Sequence, residues 1–435
     1  MENPRISIQT IGCKLNQAES EAIAAEIALL GYYVTSGVRA DAFVINTCTV
    51  TNVADRKARH LVRLIRRLNP DSFILVTGCY AHRAGQDLVK CGADVIVDNP
   101  DKNSIPLMLD GKLRGQPYLN RIDSNIGPVR RIRSFIKIQD GCNNFCSYCI
   151  VPLVRRDIYS VDTDLILKTI EEKVKLGYKE IVLTGLEMGA YLQNGTTLSG
   201  LIRRILYETK IQRLRLSSLQ PTEISRELLC LWKDLRMCPH IHLALQSGSN
   251  KILRRMRRKY DISDFKRAVD TIRDIIPDAS ITTDIMVGFP GEGDKEFQES
   301  YDFCRQMKFS AMHVFSYSPR PGTVAAEMTD SVSEKIKKAR SLIMLRLASE
   351  LAEQFARKFR GRVRKVLWEN EVKPGSGIYV GLTDNYIRVY TEGPVKLTNT
   401  ITEAKLIKPV SEMAVKTLRS STKGNYGELW GKAVI

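Results

Sequence analysis

Eight residues hold the densest chemistry in this chain of 435: Cys142-Asn143-Asn144-Phe145-Cys146-Ser147-Tyr148-Cys149. Offsets of four and three crowd three thiols into one short loop. A structural zinc site takes four ligands, usually as two separated pairs, and no fourth Cys or His follows nearby. A redox dithiol needs two sulfurs, not three. Three close thiolates suit an iron–sulfur cubane that keeps one iron without a protein ligand. A second set is scattered: Cys13, Cys48 and Cys79 each lie just past a stretch that reads as a buried strand, at 6–11, 42–46 and 72–77. In an open parallel sheet the carboxyl ends of strands share one edge, where ligands bind. The three thiolates would converge there on a second metal site, with Gly12 and Gly78 allowing sharp turns beside it. Cys91 falls inside a helical pattern, and Cys230, Cys238 and Cys304 have no partner spacing, so these four read as structural.

The elements that must position these groups follow from apolar periodicity. Strands and helices alternate through residues 1–125, which predicts a parallel α/β sheet with helices on its faces. Residues 98–128, rich in Pro and Gly, read as a connecting segment. From 130 to 358, six strand–helix units predict an open (β/α)6 barrel whose chemistry gathers at the carboxyl ends of its strands. Those ends carry Gly185, Glu187, Ser217, Gln246 and Asp284, residues suited to a small polar ligand. Short glycine-punctuated strands over 360–435 predict a small all-β barrel, with an irregular tail or a short extra element after Lys416.

Composition sets outer bounds. Hydrophobic residues at 43% and charged residues at 26% are those of a soluble globular protein, and no apolar run reaches membrane-spanning length. The first residues lack a signal pattern, so a cytoplasmic protein is expected. The net charge of +18 favours a polyanionic partner, nucleic acid first. Arg254 and Arg258, in the run Arg254-Arg255-Met256-Arg257-Arg258-Lys259, are candidate phosphate contacts. His240, His242 and His313 alternate within strands and read as core residues.

The motifs resemble those of one family. Cys-x3-Cys-x2-Cys is the signature shared by radical S-adenosylmethionine (SAM) enzymes. Gly12-Cys13-Lys14-Leu15-Asn16-Gln17, Asn46-Thr47-Cys48-Thr49-Val50-Thr51 and Thr77-Gly78-Cys79-Tyr80 resemble the cysteine blocks of the methylthiotransferases. The first block is most similar to the branch acting on threonylcarbamoyladenosine in tRNA. The resemblance implies two [4Fe-4S] clusters, on Cys13, Cys48 and Cys79 and on Cys142, Cys146 and Cys149. It also implies a SAM pocket lined by Gly185, Glu187, Ser217, Gln246 and Asp284. A TRAM-like RNA-binding barrel would complete the chain, with Arg320, Tyr386 and Arg388 as candidate substrate contacts. Its expected reaction places a methylthio group on C2 of the adenine next to the anticodon. Partners would be tRNA and a reductant protein, with the enzyme monomeric and away from membranes. Two other readings compete: methylthiolation of an aspartate in a ribosomal protein, and a non-catalytic tRNA-binding iron–sulfur protein. One stretch departs from the family. After Cys149 the usual run is Ile-Pro-x-Ala-Arg-Gly, whereas Val151-Pro152-Leu153-Val154-Arg155-Arg156 places Arg156 at the glycine. A left-handed backbone there would strain Arg156 by about 1 kcal/mol.

Overall fold

The computed structural model describes residues 4–114, 132–393, 396–409 and 427–434. The chain divides into two compact units, 1–159 with 318–326, and 160–317 with 327–435. The division falls after the Cys142–Cys149 loop, which belongs with the N-terminal sheet to the first unit.

The first unit is built on five parallel strands, β1 (Arg5–Thr10), β2 (Tyr33–Thr35), β3 (Ala42–Thr47), β4 (Phe73–Gly78) and β5 (Val95–Val97), in the order β2-β1-β3-β4-β5. Every residue of β3 is buried, because its alternating side chains enter two cores. Phe43 and Ile45 pack with Ala58, Val62 and Ile65 from the helix Asn52–Leu68. Ala42 and Val44 meet Ile23 and Ile27 from the helix Lys14–Leu29 on the other face. Thr51 starts the first of these helices by accepting a hydrogen bond from the Ala54 amide, a side-chain N-cap. Part of the expected connecting segment is a helix, Ile105–Leu113, with Pro106 in its first turn, where a missing N–H costs nothing. Ile105, Leu109 and Leu113 bury into the same core as Ile27. Residues 115–128 of that segment lie outside the described residues.

In the second unit, Glu180–Thr184 pairs in parallel with Arg213–Leu216. Likewise His240–Gln246, Ser280–Val287 and Ala311–Ser316 form a parallel set. Five strands then close a barrel in the order Val363–Glu371, Ile378–Thr383, Arg388–Glu392, Glu428–Val434, Ile401–Pro409. Val366, Trp368, Val389, Ala404, Leu406 and Leu429 fill it. Of the two alternatives for the tail, the short extra element is observed, a strand that completes the barrel, while 410–426 lie outside the described residues. Among the described residues, no helix is long and apolar enough to cross a membrane.

One glycine decides the sheet edge. Gly78 has φ +99°, and a Cβ there would lie 2.3 Å from the Thr47 carbonyl oxygen and 2.5 Å from the Thr47 nitrogen. Backbone cannot yield as a side-chain tip can. Gly78→Ala is therefore expected to destabilise the first unit by about 2–4 kcal/mol in denaturant unfolding. A loss below about 1 kcal/mol would show that the edge can relax.

Candidate active site

The loop of Cys142, Cys146 and Cys149 follows the strand Arg133–Lys137. Gly141, with φ +76°, sits where a Cβ would meet the Asp157 carbonyl oxygen at 2.4 Å. The Asp140 carboxylate accepts from the Gly141 amide at 2.9 Å. Gln139 Nε2 donates to the carbonyls of Asp140 and Gly141, both at 2.8 Å. Within the loop, Phe145 is left-handed at φ 43° and the Cys149 amide donates to the Cys146 carbonyl at 2.9 Å. The Asn144 side-chain amide lies 3.4 Å from Cys142 Sγ, as an N–H donor to a cluster sulfur would. Ala325 N donates to the Ser147 carbonyl at 2.7 Å and pins the loop from residues far along the chain.

Cys13, Cys48 and Cys79 stand at one edge of the parallel sheet. Cys13 immediately precedes the helix Lys14–Leu29, Cys48 follows β3, and Cys79 follows β4. A Cβ at Gly12 would come within 2.6 Å of Cys48 Cβ, so glycine there makes room for a thiol. Burial pushes the Cys48 thiol up to about 12, and repulsion from Cys13 and Cys79 adds to it, which marks the three as neighbours. Asn16 ties the edge together. Its Nδ2 donates to the Thr47 carbonyl at 2.9 Å, and its Oδ1 lies 3.6 Å from Cys13 Sγ.

The donor chemistry of both triads fits a cluster better than a single ion. A zinc ion with Zn–S near 2.3 Å would draw its sulfurs to about 4 Å of one another. Among the described residues, the one His/Cys/Asp/Glu group whose ligand atoms all lie within 4.8 Å is His242, Asp284 and His313, and it contains no cysteine.

Arg155, beside the second triad, is the group that spacing could not reveal. Its side chain is 3% exposed. Its Nε lies 3.3 Å from Cys79 Sγ, and its Nη1 reaches Glu19 Oε1 at 2.7 Å and Asp140 Oδ2 at 2.8 Å. Lys102 also pairs with Glu19, and Lys137 with both carboxylates. Against the desolvation that would raise it, Lys102 and then Arg155 hold the Glu19 carboxyl well below the usual carboxylate range. Three cations thus face two carboxylates, an excess of one positive charge beside Cys79. Arg156 is exposed and absent from the left-handed region, so the glycine replacement carries no backbone strain.

The expected SAM-pocket residues all belong to the second unit. Gly185 directly follows the strand Glu180–Thr184. Ser217 Oγ lies 3.4 Å from Met188 Sδ, next in chain to Glu187. Gln246 is left-handed at φ 67°, at a register break ending its strand. Its buried Oε1 has no hydrogen-bond partner among the described residues. A strained backbone that aims an unsatisfied acceptor at a strand end fits a bound ligand offering N–H or O–H groups. Asp284 Oδ2 lies 3.3 Å from His242 Nε2, and His242 Nδ1 and His240 Nε2 both contact Thr282 Oγ1, at 2.9 and 3.1 Å. One hydroxyl hydrogen serves both rings, so with His242 Nε2–H toward Asp284, Thr282 donates to His242 and accepts from His240. His240 and His242 are therefore buried, hydrogen-bonded core residues, in line with the reading from sequence. Glu223 was not expected as a site residue. Burial, with Glu187 nearby, pushes its carboxyl up to about 7.

Other expected contacts are occupied elsewhere. Arg320 is 1% exposed and is committed to Asp55, Asn52 and Thr49, so a substrate contact gives way to a structural role. Arg388 pairs with Glu428 at 3.2 Å, and Tyr386 stacks on His240 with ring centroids 4.4 Å apart. Both residues stay partly exposed while making these contacts. Arg258 donates to the Tyr260 hydroxyl at 3.0 Å and to Gln220 Oε1 at 3.2 Å, which leaves Arg254, exposed, as the available cation of the two.

Comparison with known proteins matches this division of chemistry. Residues 136–304 match the radical SAM superfamily, and residues 5–98 match an uncharacterized protein family, UPF0004. The fold is shared with TsrM from Kitasatospora setae, a radical S-adenosylmethionine methyltransferase solved with cobalamin and a [4Fe-4S] cluster. The TM-score is 0.55 at 14% identity, over 75% of this chain and 74% of that one. The chain is thus a radical SAM protein, whose superfamily implies one [4Fe-4S] cluster and SAM. The chain is 36% identical over 93% of its length to threonylcarbamoyladenosine tRNA methylthiotransferase MtaB of Bacillus subtilis, covering 94% of that protein. For the protein of the same name from Thermotoga maritima the identity is 37%, covering 88% and 90%. It belongs to the methylthiotransferase family that these relatives represent.

Two substitutions check the buried charges. Glu223 has a folded pKa above its unfolded value of 4.5, so it favours folding below that value and stability falls as pH rises toward 7. Glu223→Gln, which keeps an acceptor for the Gln220 amide, should raise the unfolding temperature at pH 8 by several degrees more than at pH 5. Equal shifts at both pH values would refute the raised pKa. Arg320→Gln should cost the first unit about 2–4 kcal/mol by leaving Asp55 with Arg83 and the Thr49 hydroxyl. Denaturant unfolding reads this directly, and an unchanged midpoint would mean that Asp55 finds another partner.

Proposed function

We propose that this protein adds a methylthio group to C2 of N6-threonylcarbamoyladenosine in tRNA, next to the anticodon. The observation that carries the reading is the presence of two separate three-cysteine sites in one chain that matches the named methylthiotransferases along nearly its whole length. Each triad would hold a [4Fe-4S] cluster: Cys142, Cys146 and Cys149 the one that binds SAM, and Cys13, Cys48 and Cys79 an auxiliary one. When bound, these groups supply hydrogen abstraction at an unreactive aromatic C–H bond, together with the sulfur and methyl that replace it.

The chain's own residues bind, orient and shield. Asn144 steadies the Cys142 thiolate, and Gln246 offers its unsatisfied carbonyl to a SAM amino or hydroxyl group. Glu187, Ser217, Gly185 and Asp284 would complete that pocket. The net charge of +18, with exposed Arg254, Arg257 and Lys259 in one run, supports tRNA as the partner. A reductant protein would deliver the electrons.

The test is nucleoside mass spectrometry of tRNA incubated anaerobically with reconstituted protein, SAM and reductant, beside Cys13→Ala. Methylthiolated threonylcarbamoyladenosine from the parent, absent from the variant while 5′-deoxyadenosine still forms, is the expected result. Deoxyadenosine without modified tRNA from the parent would overturn the substrate assignment. Gln246→Ala should raise the KM for SAM about tenfold, the worth of one buried hydrogen bond. An unchanged KM would remove Gln246 from the pocket.

A further inference from the structure

We infer that Arg155 is a positioning residue that sets the reduction potential of the auxiliary cluster and holds that site in register with the Cys142–Cys149 loop. The inference rests on Cys13, Cys48 and Cys79 holding a cluster, and goes beyond it by assigning the charge that tunes it.

The geometry is specific. Nη1 and Nη2 of this buried guanidinium share the two oxygens of Glu19, at 2.7 and 3.0 Å, and each nitrogen has a further partner of its own. Nε faces Cys79 Sγ at 3.3 Å. Nη2 faces Asn16 Oδ1 at 3.2 Å, the same oxygen that lies 3.6 Å from Cys13 Sγ. Nη1 is clamped by Glu19 and by both oxygens of Asp140, at 3.0 and 2.8 Å. Asp140 in turn caps the Gly141 amide, one residue before Cys142. One rigid fork therefore touches one auxiliary ligand, lies one side chain away from a second, and grips the entry to the other cysteine loop. A lysine offers the charge but not the fork, so it could not make all of these bonds at once.

The electrostatic consequence has a sign. Reduction adds an electron to the cluster, and a fixed cation with an N–H directed at a ligand sulfur stabilises the reduced form. Low exposure removes the solvent screening that would mute the effect. The carboxylates opposing Arg155 weaken its field, so removing one of them acts in the opposite direction. A purely structural role for Arg155 would not produce that reversal.

The experiment uses the full chain with Cys142, Cys146 and Cys149 all replaced by alanine, so that only the auxiliary site can load iron. Anaerobic titration with dithionite and mediators, followed by electron paramagnetic resonance, reads the potential. Arg155→Gln should shift it to more negative values, and Asp140→Asn to more positive values. Shifts of the same sign, or no shift in clusters that assemble, would overturn the role of Arg155. Should Arg155→Gln not fold, Asp140→Asn alone decides, since an unmoved potential there refutes the tuning. Absence of iron from the parent triple-alanine protein would instead refute the auxiliary cluster itself, which separates the two failures.

Discussion

A charge taken out of water must be met by another, and the first unit is arranged around that requirement. The effective cost of burying an ion is several kcal/mol, recovered only by near-ideal partners. Arg155, Lys102 and Lys137 satisfy it together with Glu19 and Asp140. Because the partners come from a helix, a strand end and a short turn, the pairing also fixes where these elements lie. Moving any one of them would strand a buried charge. The cysteine edge inherits its geometry from this constraint, and the residual positive charge favours an anionic occupant.

Backbone conformation supplies the second layer of positioning. Parallel strands deliver side chains to one edge, but a thiol can use that edge only if the backbone turns away at once. Gly12 and Gly78 make that turn beside Cys13 and Cys79 through positive φ angles. The second unit does the converse at Gln246, where a residue with a full side chain accepts a left-handed backbone. Strain tolerated there, with a buried acceptor unsatisfied, marks a place shaped for something other than stability.

Local pattern was readable in the sequence, and long-range pairing was not. The strands His240–Gln246 and Ser280–Val287 follow directly from apolar runs closed by turn residues, and the cysteine loop from spacing alone. The parallel N-terminal sheet and closed terminal barrel also follow from the order of elements. Glu19 was not readable as a site residue: a carboxylate in a helix looks solvated until Arg155, 136 residues away, meets it. Arg320 misled for the same reason, since an arginine in a Pro-Gly loop carries no mark of its buried partners. The helix Ile105–Leu113 was hidden by Pro106, which reads as a breaker but starts a helix equally well. Glu223 gained its unusual chemistry from burial and from Glu187 36 positions earlier, which no local pattern records.

The pairing of Arg320 with Asp55 spans 265 residues, yet both belong to the first unit. During synthesis the N-terminal sheet emerges long before the arginine that neutralises one of its buried carboxylates. Most of the second unit's parallel strands are translated in the interval. Until residues 318–326 arrive, Asp55 has Arg83 and the Thr49 hydroxyl within reach but not Arg320. The sheet's maturation is coupled to the progress of the ribosome through a different unit. A domain whose last piece is encoded so late cannot be excised at the gene level by cutting after residue 159, which joins the fates of the two units in evolution as well as in folding.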